Sequence, residues 1–139
     1  MPARSALSAA KKPLDEKITI NVGYVDLGQI DLLVQEGFYA NRTDLIRTAI
    51  RNQLATHADA VKQAVARKTL VLGIQHLSAA DLRAVKEAGH VLQIRVLGLA
   101  SIALDVTPAL ALSTIESVVV LGALHASPAV KAALASRIR

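Results

Sequence analysis

Lys17, Thr19 and Asn21 stand at alternate positions in the run Lys17-Ile18-Thr19-Ile20-Asn21-Val22. Their chemistry is hydrogen bonding, not bond making. Lys only donates, Asn donates and accepts, and Thr offers a hydroxyl beside a methyl. Such a set suits the edges of nucleic-acid bases: Lys toward guanine O6 and N7, Asn bidentate toward adenine, Thr toward an acceptor or a thymine methyl. A second group, Asn41, Arg42 and Thr43, opens a run with helical spacing. Unpaired amides and the dipole make such a helix end an anion site, phosphate included. Arg47 and Arg51 follow one turn apart; Arg47 either pairs with Asp44 or reaches a phosphate.

The four histidines offer metal-ligand chemistry only in principle. His76 and His125 occupy equivalent slots, five residues after the Val of a recurring Val-Leu-Gly. Two strand spacings put them roughly 10 Å apart, too far for one ion with bonds near 2 Å. His57 and His90 fit no ligand spacing, so no metal and no cofactor is expected. No enzyme signature is present either: there is no phosphate loop ending in Gly-Lys-Ser/Thr, no HExxH and no GxSxG. Asp81, Glu87, Asp105 and Glu116 read as helix caps and solvated faces, and the chain is not expected to be an enzyme.

The elements that must position these groups follow from periodicity. Ile18, Ile20 and Val22 alternate with the polar set, which predicts a strand with one buried face. A first helix is expected from Asp26, as N-cap, to Glu36, with Gly37 as its C′ residue and Leu27, Ile30, Leu33 and Val34 on one face. A second starts at Asn41 to Thr43, where Asn41 and Asp44 resemble a capping box, and carries Leu45, Ile46, Ala49, Ile50 and Leu54 inward. One strand and two helices cannot close a core. Two copies can, by pairing their strands into a ribbon narrow enough for a major groove.

The strand-helix-helix order, the alternating strand and the stretch Arg42-Thr43-Asp44-Leu45-Ile46-Arg47 together resemble the ribbon-helix-helix family of bacterial DNA-binding proteins, the Arc, MetJ and CopG group. The resemblance covers about residues 16–57. It implies an intertwined homodimer that lays a two-stranded β-ribbon in the major groove of double-stranded DNA. Carried over by position, it implies base contacts from Lys17, Thr19 and Asn21, and phosphate contacts from Asn41, Arg42, Thr43 and Arg47. Gly23 departs from the Leu-Pro that many members place after the strand.

The remainder of the chain repeats. Val71-Leu72-Gly73 recurs as Val96-Leu97-Gly98 and Val120-Leu121-Gly122, at offsets of 25 and 24 residues. Each is followed by a loop and a helix start: Ser78 with Asp81, Thr107 with Pro108, Ser127 with Pro128. The expected fold class is therefore α+β: a ribbon-helix-helix part, then a small α/β solenoid-like domain of three repeats with parallel strands. The expected division is a flexible arm at 1–15, the DNA-binding part at 16–57, a helical connector at 58–68 and an oligomerisation domain at 69–139. Lys11 and Lys12 in the arm could brush phosphates. Nothing polar caps the array, and open sheet edges invite another chain.

Composition bounds the rest. The chain has 139 residues, no cysteine and a net charge of +5. Residues 1–57 hold seven Lys/Arg against six Asp/Glu, and residues 58–139 nine against five. DNA specificity would thus come from where a few cations sit, not from a basic block. No secretory signal opens the chain, and no stretch of roughly 18 uninterrupted apolar residues exists, so no membrane partner is expected. A cytoplasmic location, on the nucleoid when bound to DNA, fits the absence of cysteine.

The expected function is a sequence-specific transcriptional regulator, a repressor, binding palindromic sites cooperatively through assembly of residues 69–139. Two alternatives belong to other classes. An antitoxin joins such a fold to a toxin-blocking tail, though those tails tend to be polar and disordered until bound. A structural protein would use the repeats to polymerise.

Overall fold

The computed structural model describes residues 14–139. The expectation for most of the N-terminal arm, Lys11 and Lys12 included, lies outside the described residues. The chain divides into two compact units, Asp15–Gln63 and Ala64–Arg139. Among the described residues there are six α-helices and one three-stranded parallel sheet.

Helix α1 spans Tyr24–Gln35 and α2 spans Arg42–Thr56. The first starts two residues before the expected Asp26. Gly23, extended at φ −62° and ψ 152°, is its N-cap and makes no side-chain bond. Asp26 falls instead in the first turn, where its carboxylate meets the positive end of the dipole. The helix ends in a Schellman motif: Gly37 adopts φ +86°, its N–H donates to Val34 O (3.1 Å), and the Phe38 N–H donates to Leu33 O (3.0 Å). Helix α3, Ala58–Lys68, follows α2 after a break at His57 (φ −103°, ψ 14°).

The expected strand at Lys17–Val22 is not formed within one chain. Residues 16–23 carry no secondary structure, and the intended inner face is open, with Ile18 76 % and Ile20 64 % exposed. The physical reason is the absence of a neighbour: a strand needs a ladder partner, and among the described residues none lies beside this one. The same holds for the helices. Not one residue of 15–63 is buried.

The second unit has a core. Strands β1 (Val71–Leu77), β2 (Leu92–Ile102) and β3 (Ile115–His125) lie parallel in the order β1-β2-β3. They alternate with helices α4 (Ala79–Glu87), α5 (Pro108–Thr114) and α6 (Pro128–Leu134). The register aligns the three Val-Leu-Gly segments, Val71 with Val96 with Val120 and Gly73 with Gly98 with Gly122. Paired residues of a parallel ladder face the same side. Ile94, Val96, Ala100, Ile102 and Val118 therefore meet Leu82, Ala111, Val130 and Leu134 of the helices in one buried cluster. The opposite face carries the columns Leu72–Leu97–Leu121, Ile74–Leu99–Ala123 and His76–Ser101–His125.

Each helix starts on its expected cap. The Ser78 hydroxyl accepts from Asp81 N–H (3.2 Å) while the Asp81 carboxylate accepts from Ser78 N–H (2.9 Å), a reciprocal capping box. The Ser78 N–H, and then the Ser78 hydroxyl, hold the Asp81 carboxyl below its ordinary range, helped by the nearby His76. Thr107 and Ser127 accept from Leu110 and Val130 N–H (3.2 Å each), with Pro108 and Pro128 at N1. At the chain end Arg137 donates to the carbonyls of Leu112 (2.6 Å) and Ile115 (2.7 Å). Ile138 makes a parallel bridge to Val118, and Arg139 N–H donates to Val118 O (2.8 Å).

Candidate nucleic-acid interface

Lys17, Thr19 and Asn21 sit in the extended segment that leads into α1, and all three are exposed. With no ladder in a single chain, nothing yet separates their face from that of Ile18, Ile20 and Val22. The separation requires a second strand whose side chains cover the apolar side.

The start of α2 is better defined. Asn41 is its N-cap at φ −164° and ψ 177°, and its side chain accepts from Asp44 N–H (2.8 Å). The Asp44 carboxylate turns back to accept from Ala40 N–H (3.0 Å). This is a capping box displaced by one residue, since the reciprocal donor is Ala40 and not Asn41. The amides of Arg42 and Thr43 keep no acceptor among the described residues. They remain available to an anion, as a helix N-terminus generally allows.

Two cations at this end have different surroundings. Arg42 forms a bidentate fork on Asp31 of α1, Nε to Oδ1 at 2.7 Å and Nη2 to Oδ2 at 2.8 Å. The hydrogen bonds, and then the Arg42 charge, hold the Asp31 carboxyl below its ordinary range and tighten the hold of Arg42 on its proton. Arg42 thus ties α2 to α1 and presents its remaining donors from a fixed position. Asp31 carried no sequence signal, because its partner lies across the Gly37 turn. Arg47, in contrast, does not pair with Asp44. The one ion pair among the described residues is Arg42–Asp31, and the Asp44 carboxylate instead accepts from Ala40 N–H. Thr43, Arg47 and Arg51 are all exposed.

The histidines do not converge with these groups. His76 Nδ1 lies 3.2 Å from Ser101 Oγ, and Ser101 stands between His76 and His125 in the register. Among the described residues no cluster of three or more His, Cys, Asp or Glu could hold a metal ion, and no helix is long and apolar enough to cross a membrane.

No curated protein and no solved structure matches the chain. The sequence pattern of the ribbon-helix-helix transcriptional regulator family does match, over residues 13–131. The match runs well past the strand-helix-helix part and through β1, β2 and β3, so the second unit is part of the family pattern too. Strand-length segment, two helices with a capped second start, and this match agree: the chain belongs to the ribbon-helix-helix transcriptional regulator family, whose members are DNA-binding regulators.

Proposed function

We propose that the protein is a sequence-specific transcriptional repressor that acts as a homodimer on palindromic DNA. Two copies pair their residues 17–22 into an antiparallel ribbon, cover Ile18, Ile20 and Val22 with the helices, and turn Lys17, Thr19 and Asn21 of both chains into a major groove. The amides and side chains of Asn41, Arg42 and Thr43, with Arg47, hold the DNA backbone. Residues 16–57 do the binding, 58–68 connect, and 69–139 join dimers so that neighbouring half-sites fill cooperatively.

One observation carries this reading. No residue of 15–63 is fully buried, while Ile18, Ile20, Tyr24, Val25, Leu32 and Phe38 all stand more than half exposed. A segment of that size with two capped helices and no core is half of a fold. The missing half is a second copy, because two-fold pairing of the alternating segment covers the apolar side and leaves the polar side free.

Selection of bound sequences from random DNA tests the proposal. The recovered site should be a palindrome. Asn21→Ala should weaken binding to it by about 1–3 kcal/mol and relax the base choice at one position in each half-site. An Asn21→Ala protein with the parent's affinity and selectivity would show that Asn21 does not read a base.

A further inference from the structure

The sheet of the second unit has two edges that fit each other: among the described residues β1 has no ladder partner on its outer side, and β3 meets only Ile138 and Arg139, at Val118. β1 exposes Val71, Leu72 and Ile74 at 49 %, 67 % and 63 %, and β3 exposes Leu121 at 52 %. The chain already makes the corresponding junction twice, β1 with β2 and β2 with β3, both parallel and both with Val-Leu-Gly against Val-Leu-Gly. We infer that β3 of one copy pairs in parallel with β1 of the next, head to tail, with Gly122 opposite the neighbour's Gly73. This rests on the proposal that residues 69–139 join dimers, and it specifies how.

The glycines set the register. At both internal junctions the later glycine has a left-sided backbone, φ +137° at Gly98 and +122° at Gly122, and a Cβ there would lie 2.1 Å from the carbonyl oxygen of the glycine before it. Gly73 has the same backbone, φ +127°, with nothing among the described residues within 4 Å of that position. Its geometry is that of a strand that follows another, yet in its own chain it comes first. The carbonyl of Gly122, at the other edge, is the matching group and meets no later strand of the same chain.

Extending the register sets Val71 of one copy opposite Val120 of the other and His76 opposite His125. Ile138 bridges β3 at Val118 and Arg139 N–H donates to Val118 O (2.8 Å), on the N-terminal side of the stretch that begins at Val120. On the open face the columns continue unbroken: Leu121 meets Leu72, Ala123 meets Ile74. The edges are different surfaces, so the contact is heterologous, and repetition gives a ring if the rotation closes or a filament if it does not.

Two single-cysteine proteins test this in the full chain, which has no native cysteine. Ile74→Cys and Ala123→Cys replace residues that would lie directly opposite, about 4.8 Å apart at the backbone. With a short bis-maleimide, the mixture should yield a cross-linked pair that neither protein yields alone, and light scattering should give a mass above that of a dimer. Val91→Cys mixed with Ala123→Cys should give no product, since the two positions lie far apart along the strand direction. Cross-linking of Ile74→Cys with itself, in particles larger than a dimer, would overturn the head-to-tail junction in favour of a two-fold edge contact while leaving assembly through 69–139 intact. The absence of any cross-link in such particles would also overturn it. A mass that stays at the dimer at every concentration would remove the proposed assembly itself.

Discussion

Gly98→Ala measures how closely the strands of the second unit are stacked. The added Cβ would sit 2.1 Å from Gly73 O and 3.0 Å from Gly73 C. An ordinary carbon–oxygen contact is about 3.3 Å or longer, so β1 and β2 must part locally by about 1 Å. Ladder bonds near 2.9 Å then stretch beyond useful length. Two such bonds at about 1 kcal/mol each, with about 1–3 kcal/mol for an L side chain at φ +137°, give about 3–5 kcal/mol. A unit of the size of residues 64–139 has about 4–11 kcal/mol in total. The substitution should therefore lower its melting temperature by about 12–40 °C. Hydrogen exchange at Ile94, Val96 and Val118 follows this unit selectively, since the aromatic residues Tyr24, Phe38 and Tyr39 all lie in the other one. Gly73→Ala, in dissociated copies, meets no atom of the described residues and should cost only the backbone strain. If Gly98→Ala melted within about 3 °C of the parent, or no lower than Gly73→Ala, the close glycine stack would be refuted.

Three further outcomes follow from single contacts. Asn41→Ala removes the α2 cap and should lower the stability of the dimer by about 1 kcal/mol, read as a shifted denaturant midpoint with an unchanged slope. Asp31 has a folded-state pKa below its ordinary value, so its contribution is complete above about pH 4 and is lost as the pH falls through the folded value. Asp31→Asn should consequently be less stable than the parent at pH 7, and the two should converge in denaturant melts as the pH falls through the folded value. Arg137→Ala strips the donor from two carbonyls, Leu112 O and Ile115 O, and should destabilise the second unit by about 1–3 kcal/mol in thermal melts.

What the sequence made legible, and what it did not, divides by distance along the chain. Asn41, Ser78, Thr107 and Ser127 were readable as caps because each partner lies three residues on. The parallel register was readable because Val-Leu-Gly returns at nearly constant offset. The Arg42–Asp31 fork, the Arg137 bonds and the Ile138 bridge were not, since they join residues whose adjacency exists only after the turns and strands are in place. The α1 start was misplaced by two residues because Gly23 caps by backbone shape and has no side chain to announce it.

The run at 17–22 is a different case. Its alternation is plain in the sequence, yet a single chain forms no strand there. Period-2 patterning records which side chains are covered in the working state, whichever molecule does the covering. The edges of the second unit carry the same kind of information through Gly73 and Gly122. The two signals differ in symmetry. An alternating segment that pairs with its own copy closes after two chains, whereas β3 on β1 joins unlike surfaces and has no built-in stop. A protein with one contact of each kind links closed pairs into longer arrays, so its occupancy of DNA should depend on the number and spacing of half-sites. Binding to one palindrome and to tandem palindromes would then differ in steepness with concentration, and Leu121→Asp should abolish that difference while leaving the single site bound as before.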